Sequence, residues 1–285
     1  MGNRKNNAGK NLIVQGSILA LASIVVRLIG IIYRIPLTNI VGNEGMGYYG
    51  FAFEVYSFLV ILSTSAIPVA VSKLTAARIA KKEYKNAQAV FRCSIKFAAV
   101  LSGSLALITF IGAPFISKVM FGGITEVAPA LRVLAPTVFV CAVMGVFRGY
   151  TQGLGNMTPT AFSQVVEQII NAIVSVVAAA ILISKGAAYG AAGGTMGTLM
   201  GAVASLVFLY FVYTSNQPVI RRRIKKDPTK KAMSDQLGIP YRALLRVCHE
   251  EGSEQEVQCV LCCIARYCLQ EHIPPTELFH GFSTI

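Results

Sequence analysis

Residues 11–35 read NLIVQGSILALASIVVRLIGIIYRI, and the first 16 of these residues carry no charge. A helix needs about 20 mostly apolar residues to cross the hydrocarbon core of a bilayer. The apolar part of a signal peptide is shorter, at about 7–15 residues. We therefore interpret this stretch as the first membrane-spanning helix of the chain.

The composition extends this interpretation to most of the sequence. Hydrophobic residues make up 54% of the 285 residues and charged residues only 14%, against about 25% charged residues in soluble domains. Five further apolar runs follow the first one, which predicts an all-α, polytopic bundle of six transmembrane helices. The six predicted spans are residues 11–35, 46–70, 96–117, 127–149, 161–184 and 190–213.

The chain changes composition near residue 231. Residues 1–231 hold 23 basic and 6 acidic residues, whereas residues 232–285 hold 3 basic and 7 acidic ones together with five of the seven cysteines. The cysteine spacing lacks the paired CxxC pattern of a structural zinc site, so we expect no metal and no cofactor. We predict a six-span membrane lobe over residues 1–231 and a polar, cysteine-rich tail over residues 232–285.

The basic residues predict the orientation of the chain in the membrane. They are concentrated at the N-terminus, after the second span, after the fourth span and after the sixth span. With six spans, all four segments fall on one side, which the positive-inside rule makes the cytoplasm. We therefore expect a multi-pass plasma-membrane protein with both termini cytoplasmic. The net charge of +13 then reflects basic loops that face the cytoplasm. Membrane lipids are expected partners, and no nucleic-acid partner is expected.

Two arginines interrupt the first apolar run. Arg27 and Arg34 are seven residues apart, which is two helical turns, so they share one face. An arginine in lipid costs at least about 2.5 kcal/mol, but the cost is lower where the face lines a water-filled cavity. The bidentate guanidinium fork suits a diphosphate or a carboxylate ligand. The alternative is a structural ion pair with Glu54 or Glu167.

Glu54 and Glu167 each interrupt an otherwise uncharged span, so both are expected to face the interior of the bundle. They could couple transport to a proton or a cation, or they could neutralise an arginine. Arg148 ends the fourth span at its predicted cytoplasmic side. It is a further candidate for substrate binding, although the positive-inside rule also accounts for it.

Small residues recur every four positions at the start of the last span. The pairs Gly190 and Gly194, Gly193 and Gly197, and Gly197 and Gly201 show this spacing, which lets neighbouring helices approach closely. No phosphate-binding loop, nucleophile elbow or zinc-protease motif is present in the sequence. We therefore expect a membrane protein that is not an enzyme.

Three stretches resemble the stage V sporulation protein B and polysaccharide-biosynthesis family of the multidrug/oligosaccharidyl-lipid/polysaccharide exporters. They are VRLIGIIYRIPLTNIVGNEGMGYYGFAFEVY (26–56), VAVSKLTAARIAKKEYKNA (69–87) and FRGYTQGLGNMTPTAFSQVVEQI (147–169). The resemblance covers about residues 8–230, and lipid II flippases belong to the same superfamily. It implies two six-helix lobes around a central cavity that moves lipid-linked sugars by alternating access. It also implies that Arg27 and Arg34 stand where these flippases carry paired arginines that bind the diphosphate.

The expected function is that of a flippase or exporter of lipid-linked oligosaccharides, such as undecaprenyl-diphosphate sugars for cell-wall or polysaccharide biosynthesis. Members of the family have about fourteen spans, so a second lobe or a homodimer would complete the cavity. Two alternatives remain open. One is a drug/cation antiporter of the same superfamily, and the other is a truncated or frame-shifted remnant that inserts without transporting.

Overall fold

The computed structural model describes residues 2–64 and 66–225, with side chains described for residues 14–61 and 67–224. These ranges form six α-helices and one short 3-10 helix, without a strand among them, which confirms the predicted all-α membrane bundle. The helices are α1 (Gly2–Thr64), α2 (Ala66–Ala80), α3 (Tyr84–Met120), α4 (Ala128–Gly153), α5 (Thr158–Leu182) and α6 (Ala187–Lys225), with the 3-10 helix at Ile183–Lys185.

Helix α1 contains the first predicted span and most of the second. Its apolar part, Val14–Ile61, has 48 residues and would be about 72 Å long if it were straight, more than twice the thickness of a bilayer core. Gly42 breaks it, with φ 73° and ψ 173°, a conformation that favours glycine. We call residues 2–41 the first limb and residues 43–64 the second limb.

The two limbs of α1 fold back against each other. A Cβ atom built on Gly194 would lie 3.2 Å from the ring of Tyr49 and 3.5 Å from the side chain of Leu37. These two residues are 12 positions apart, which is about 18 Å along a straight helix. Their contact with one point on α6 therefore requires the bend at Gly42.

The predicted second span, residues 46–70, crosses the boundary between two helices. The second limb ends at Thr64 and α2 begins at Ala66. Pro68 then lies in the first turn of α2, where its missing N–H group costs no hydrogen bond. Helices α3 and α6 extend beyond the predicted spans 96–117 and 190–213, because their polar, basic ends continue the helix outside the apolar run.

Several glycines lie where two helices approach closely. A Cβ atom on Gly193 would lie 2.6 Å from the carbonyl oxygen of Ala178, and one on Gly201 would lie 2.5 Å from that of Glu167. This confirms the predicted close packing of the α6 glycines, which here rest on α5. A second stripe joins α4 to α2, where a Cβ atom on Gly149 would lie 2.5 Å from the carbonyl oxygen of Pro68.

Basic segments meet at one end of the bundle. The guanidinium group of Arg223, near the end of α6, lies 5.9 Å from the ring centre of Tyr84 at the start of α3. The backbone N–H of Met157, between α4 and α5, donates a 3.2 Å hydrogen bond to the side chain of Gln15. The end of α6 thus contacts the start of α3, and the first limb contacts the connection between α4 and α5; the orientation of these segments in the membrane stays a prediction.

The opposite end holds the other connections of the bundle. A Cβ atom on Gly45 would lie 3.0 Å from the carbonyl oxygen of Ala187, and the rings of Phe51 and Phe121 lie 4.7 Å apart. The predicted tail, residues 232–285, lies outside the described residues, so the division of the chain into a lobe and a tail stays a prediction.

Candidate functional site

An open cavity of about 820 Å³ lies along the first limb of α1. The first limb contributes residues at positions 27, 30, 31, 34 and 38, which is the spacing of one helical face. The second limb contributes Tyr49. The lining residues are Arg27, Gly30, Ile31, Tyr33, Arg34, Ile35, Thr38, Asn39 and Tyr49.

Both predicted arginines lie on this cavity wall. Arg27 and Arg34 are exposed, and none of the lining residues is acidic. Within residues 14–61 and 67–224, neither guanidinium group has an ion pair or a hydrogen bond. The cavity wall therefore presents two positive charges that no carboxylate among the described residues neutralises.

The structural ion pair considered for Arg27 does not form among the described residues. Glu167 is instead bound to Arg148, whose Nη2 atom donates to Oε2 of Glu167 at 2.6 Å. The same Nη2 atom donates to Oγ of Ser205 at 3.1 Å, and Nε donates to Oγ of Ser163 at 3.1 Å. One guanidinium group thus connects α4, α5 and α6.

The Arg148 cluster lies inside the lobe rather than on the cavity wall. The side chain of Arg148 is 16% exposed and that of Glu167 is 26% exposed, and neither residue lines the cavity. Glu167 was considered either for coupling transport to an ion or for neutralising an arginine, and its ion pair with Arg148 corresponds to the second use. The role of Arg148 in substrate binding stays a prediction, and the position of this side chain does not favour it.

Glu54 lies on the exposed face of the second limb, so its expected place inside a complete bundle stays a prediction. The second limb buries one face, which includes Tyr49, Ala52 and Tyr56. Position 54 is two residues from position 52, or about 200° around the helix axis. The side chain of Glu54 is therefore exposed, and it makes no ion pair or hydrogen bond within the described ranges.

Two tyrosines that line the cavity were not predicted from the sequence. Tyr33 lies directly before Arg34, and its side chain interacts with that of Tyr49 across the cavity. The position of Tyr33 beside the arginine face was visible in the sequence. The contribution of Tyr49 was not, because it depends on the fold-back at Gly42.

The chain belongs to the polysaccharide biosynthesis protein family, whose family model matches residues 13–239. Two curated relatives come from Bacillus subtilis (strain 168). Stage V sporulation protein B is 31% identical over 160 residues, covering 56% of this chain and 31% of the relative. Lipid II flippase MurJ is 28% identical over 158 residues, covering 53% of this chain and 29% of the relative. The chain thus spans about a third of the length of the curated relatives it matches, and the resemblance stated from the sequence is confirmed.

Solved transporter structures share the fold. A MATE structure in the straight conformation superposes with a TM-score of 0.64 at 17% identity, covering 90% of this chain and 59% of that one. Lipid II flippase MurJ in an inward closed conformation gives a TM-score of 0.53 at 12% identity, covering 88% and 51%. The chain therefore shares the helical fold of these solved transporters.

Proposed function

We propose that this chain forms one lobe of a flippase for lipid-linked oligosaccharides, with undecaprenyl-diphosphate sugars as the substrate class. The observation that carries the proposal is the pair of unneutralised arginines, Arg27 and Arg34, on the wall of the cavity. A diphosphate supplies the missing negative charge. Transport by alternating access would serve cell-wall or polysaccharide biosynthesis.

The geometry of the wall suits a diphosphate. Arg27 and Arg34 are about 10 Å apart along the helix axis, and two long side chains on one face can converge on a single group between them. Each guanidinium offers two parallel N–H donors to phosphate oxygens. The apolar neighbours Ile31 and Ile35 provide contact for a hydrocarbon chain.

The proposal includes the placement of the chain and its partners. Because the basic ends of the described helices lie together, we place both termini in the cytoplasm of a plasma-membrane protein. The open side of the cavity would be covered by membrane lipids and by a second lobe or a second copy of the chain. The movement of an anion is sensitive to membrane potential by about 2.3 kcal/mol per charge per 100 mV, which offers one driving force.

The test is Arg27→Ala in a version of the chain that is supplied with a second lobe. We expect loss of complementation in a flippase-depleted strain, with membrane abundance near that of the parent. Arg27→Lys should restore activity only in part, because an ammonium keeps the charge and loses the bidentate fork. Arg132→Ala is the matched control, since Arg132 is exposed on α4 and does not line the cavity.

The outcomes separate the alternatives. Parental transport by Arg27→Ala would contradict the assignment of this residue to the substrate. A drug/cation antiporter would export cations with Arg27 replaced and would not bind a diphosphate. A remnant would insert normally and fail to complement, with or without Arg27, even when a second lobe is supplied.

A further inference from the structure

Gln168 on α5 is not a lining residue of the cavity, but its side chain lies beside Gly30, which is one. A Cβ atom on Gly30 would lie 3.3 Å from Nε2 of Gln168, the one contact within 4 Å apart from the backbone of its own helix. Gly30 lines the cavity, three residues after Arg27 and four residues before Arg34. The carboxamide of Gln168 therefore lies beside the first limb at a level between the backbone positions of Arg27 and Arg34.

The carboxamide has hydrogen-bonding groups that the described residues leave unused. Gln168 makes no hydrogen bond to any residue within 14–61 and 67–224, and it is half-buried. One turn earlier on the same face of α5, Oε1 of Gln164 is buried and also without a partner. Polar groups at such depth are normally hydrogen-bonded, so this face of α5 offers donors and acceptors that suit a ligand.

Glycine at position 30 allows this approach. A Cβ contact of 3.3 Å is tight, so any larger side chain there would displace the carboxamide from the first limb of α1. The combination of a neutral amide with two arginines differs from a simple basic patch. The amide adds N–H donors without adding charge, and its oxygen accepts from a hydroxyl group.

We propose that Gln168 is a substrate-positioning residue that donates an N–H group to the anionic group held by Arg27 and Arg34. The substrate class is a lipid-linked diphosphate, so the inference rests on the proposed function and extends it to a third side chain on a second helix. In this arrangement the arginines supply the attraction. Gln168 fixes where along the first limb of α1 the diphosphate sits.

The experiment measures binding of a soluble prenyl diphosphate, farnesyl diphosphate, to the full chain in detergent by titration calorimetry. Gln168→Leu should weaken binding by about tenfold, the value of one hydrogen bond to a charged group. Gln168→Glu should weaken it further at neutral pH, because a carboxylate between the arginines competes with the ligand. The matched control is Gln152→Leu, a half-buried glutamine on α4.

Two readouts distinguish positioning from a structural role. Binding by Gln168→Glu should recover as the pH is lowered and the new carboxyl group becomes neutral, which a packing defect would not do. Gly30→Ala should weaken binding in the same direction as Gln168→Leu with the melting temperature preserved. If Gln168→Leu does not fold, the pH dependence of the isosteric Gln168→Glu variant decides the question.

Different binding results would refute the role of Gln168 and the proposed function. If Arg27→Ala loses binding while Gln168→Leu and Gln168→Glu bind like the parent at all pH values, the role of Gln168 is refuted and the arginine site stands. If the parent chain does not bind the diphosphate, or Arg27→Ala binds it equally well, the proposed function is refuted and the inference falls with it.

Discussion

Replacement of Arg148 tests whether one ion pair holds three helices together. In the structure, the Nη2 atom of Arg148 lies 2.6 Å from Oε2 of Glu167, and two serine hydroxyls complete the contacts of the guanidinium group. Arg148→Met keeps the apolar stem and removes the charge. Glu167 is then left as an unpaired carboxylate among α4, α5 and α6.

The expected loss of stability follows from the burial of the pair. Removing one partner of a buried ion pair costs about 3–5 kcal/mol. The side chains are 16% and 26% exposed, so solvent screens part of the remaining charge and the lower end, about 3 kcal/mol, applies. At about 2–4 °C per kcal/mol for a chain of 150–250 residues, the melting temperature should fall by about 6–12 °C.

The assay is thermal unfolding in detergent, followed by fluorescence-detected size exclusion. Arg148→Met combined with Glu167→Gln should be more stable than Arg148→Met alone, because the second change removes the unpaired charge. Arg132→Met, an exposed arginine on the same helix, should melt like the parent. If Arg148→Met melts within about 2 °C of the parent, or if Glu167→Gln lowers its stability further, the three-helix role of the pair is refuted.

Two further predictions follow from packing and topology. Gly197→Ala should lower membrane abundance and reduce the free energy of unfolding by about 1–3 kcal/mol, because a Cβ atom there meets the backbone of Asn171 and Ser175. Gly16→Ala is the control, since a Cβ atom at that position meets nothing within 4 Å. It should have little effect in the same expression and melting assay. Reporter fusions after Lys85 and near Gly123 should report cytoplasm and exterior respectively, and the same side for both would show that α3 does not cross the membrane.

Hydropathy and helical phase were sufficient for the parts of the structure that depend on local sequence. The apolar runs predicted the bundle, and the seven-residue interval predicted that Arg27 and Arg34 share one wall. The glycine spacing on α6 predicted its packing. The stripe of Gly145, Gly149 and Gly153 on α4 has the same spacing and could have been predicted by the same rule.

The parts that sequence could not predict depend on contacts between distant helices. Glu54 and Glu167 look equivalent in the sequence, since each is a single carboxylate in an apolar run. They differ because the rotation of α5 brings Glu167 to Arg148, 19 residues earlier on α4, whereas the second limb of α1 turns Glu54 to the surface. The sequence also does not reveal that Gly42 folds α1 back, which is what places Tyr49 in the cavity.

The distribution of charge links the ion pair to the cavity. Arg148 binds Glu167, an acidic side chain inside the lobe, and Glu54 lies on the exposed face of its limb. Arg27 and Arg34 therefore keep their positive charges, and the wall has no carboxylate to attract a cationic drug. A site of this composition favours an anion over a cation, since unpaired guanidinium groups are stabilised by a ligand that brings the opposite charge. We propose that the pair with Arg148 also prevents the carboxylate of Glu167 from neutralising Arg27 and Arg34.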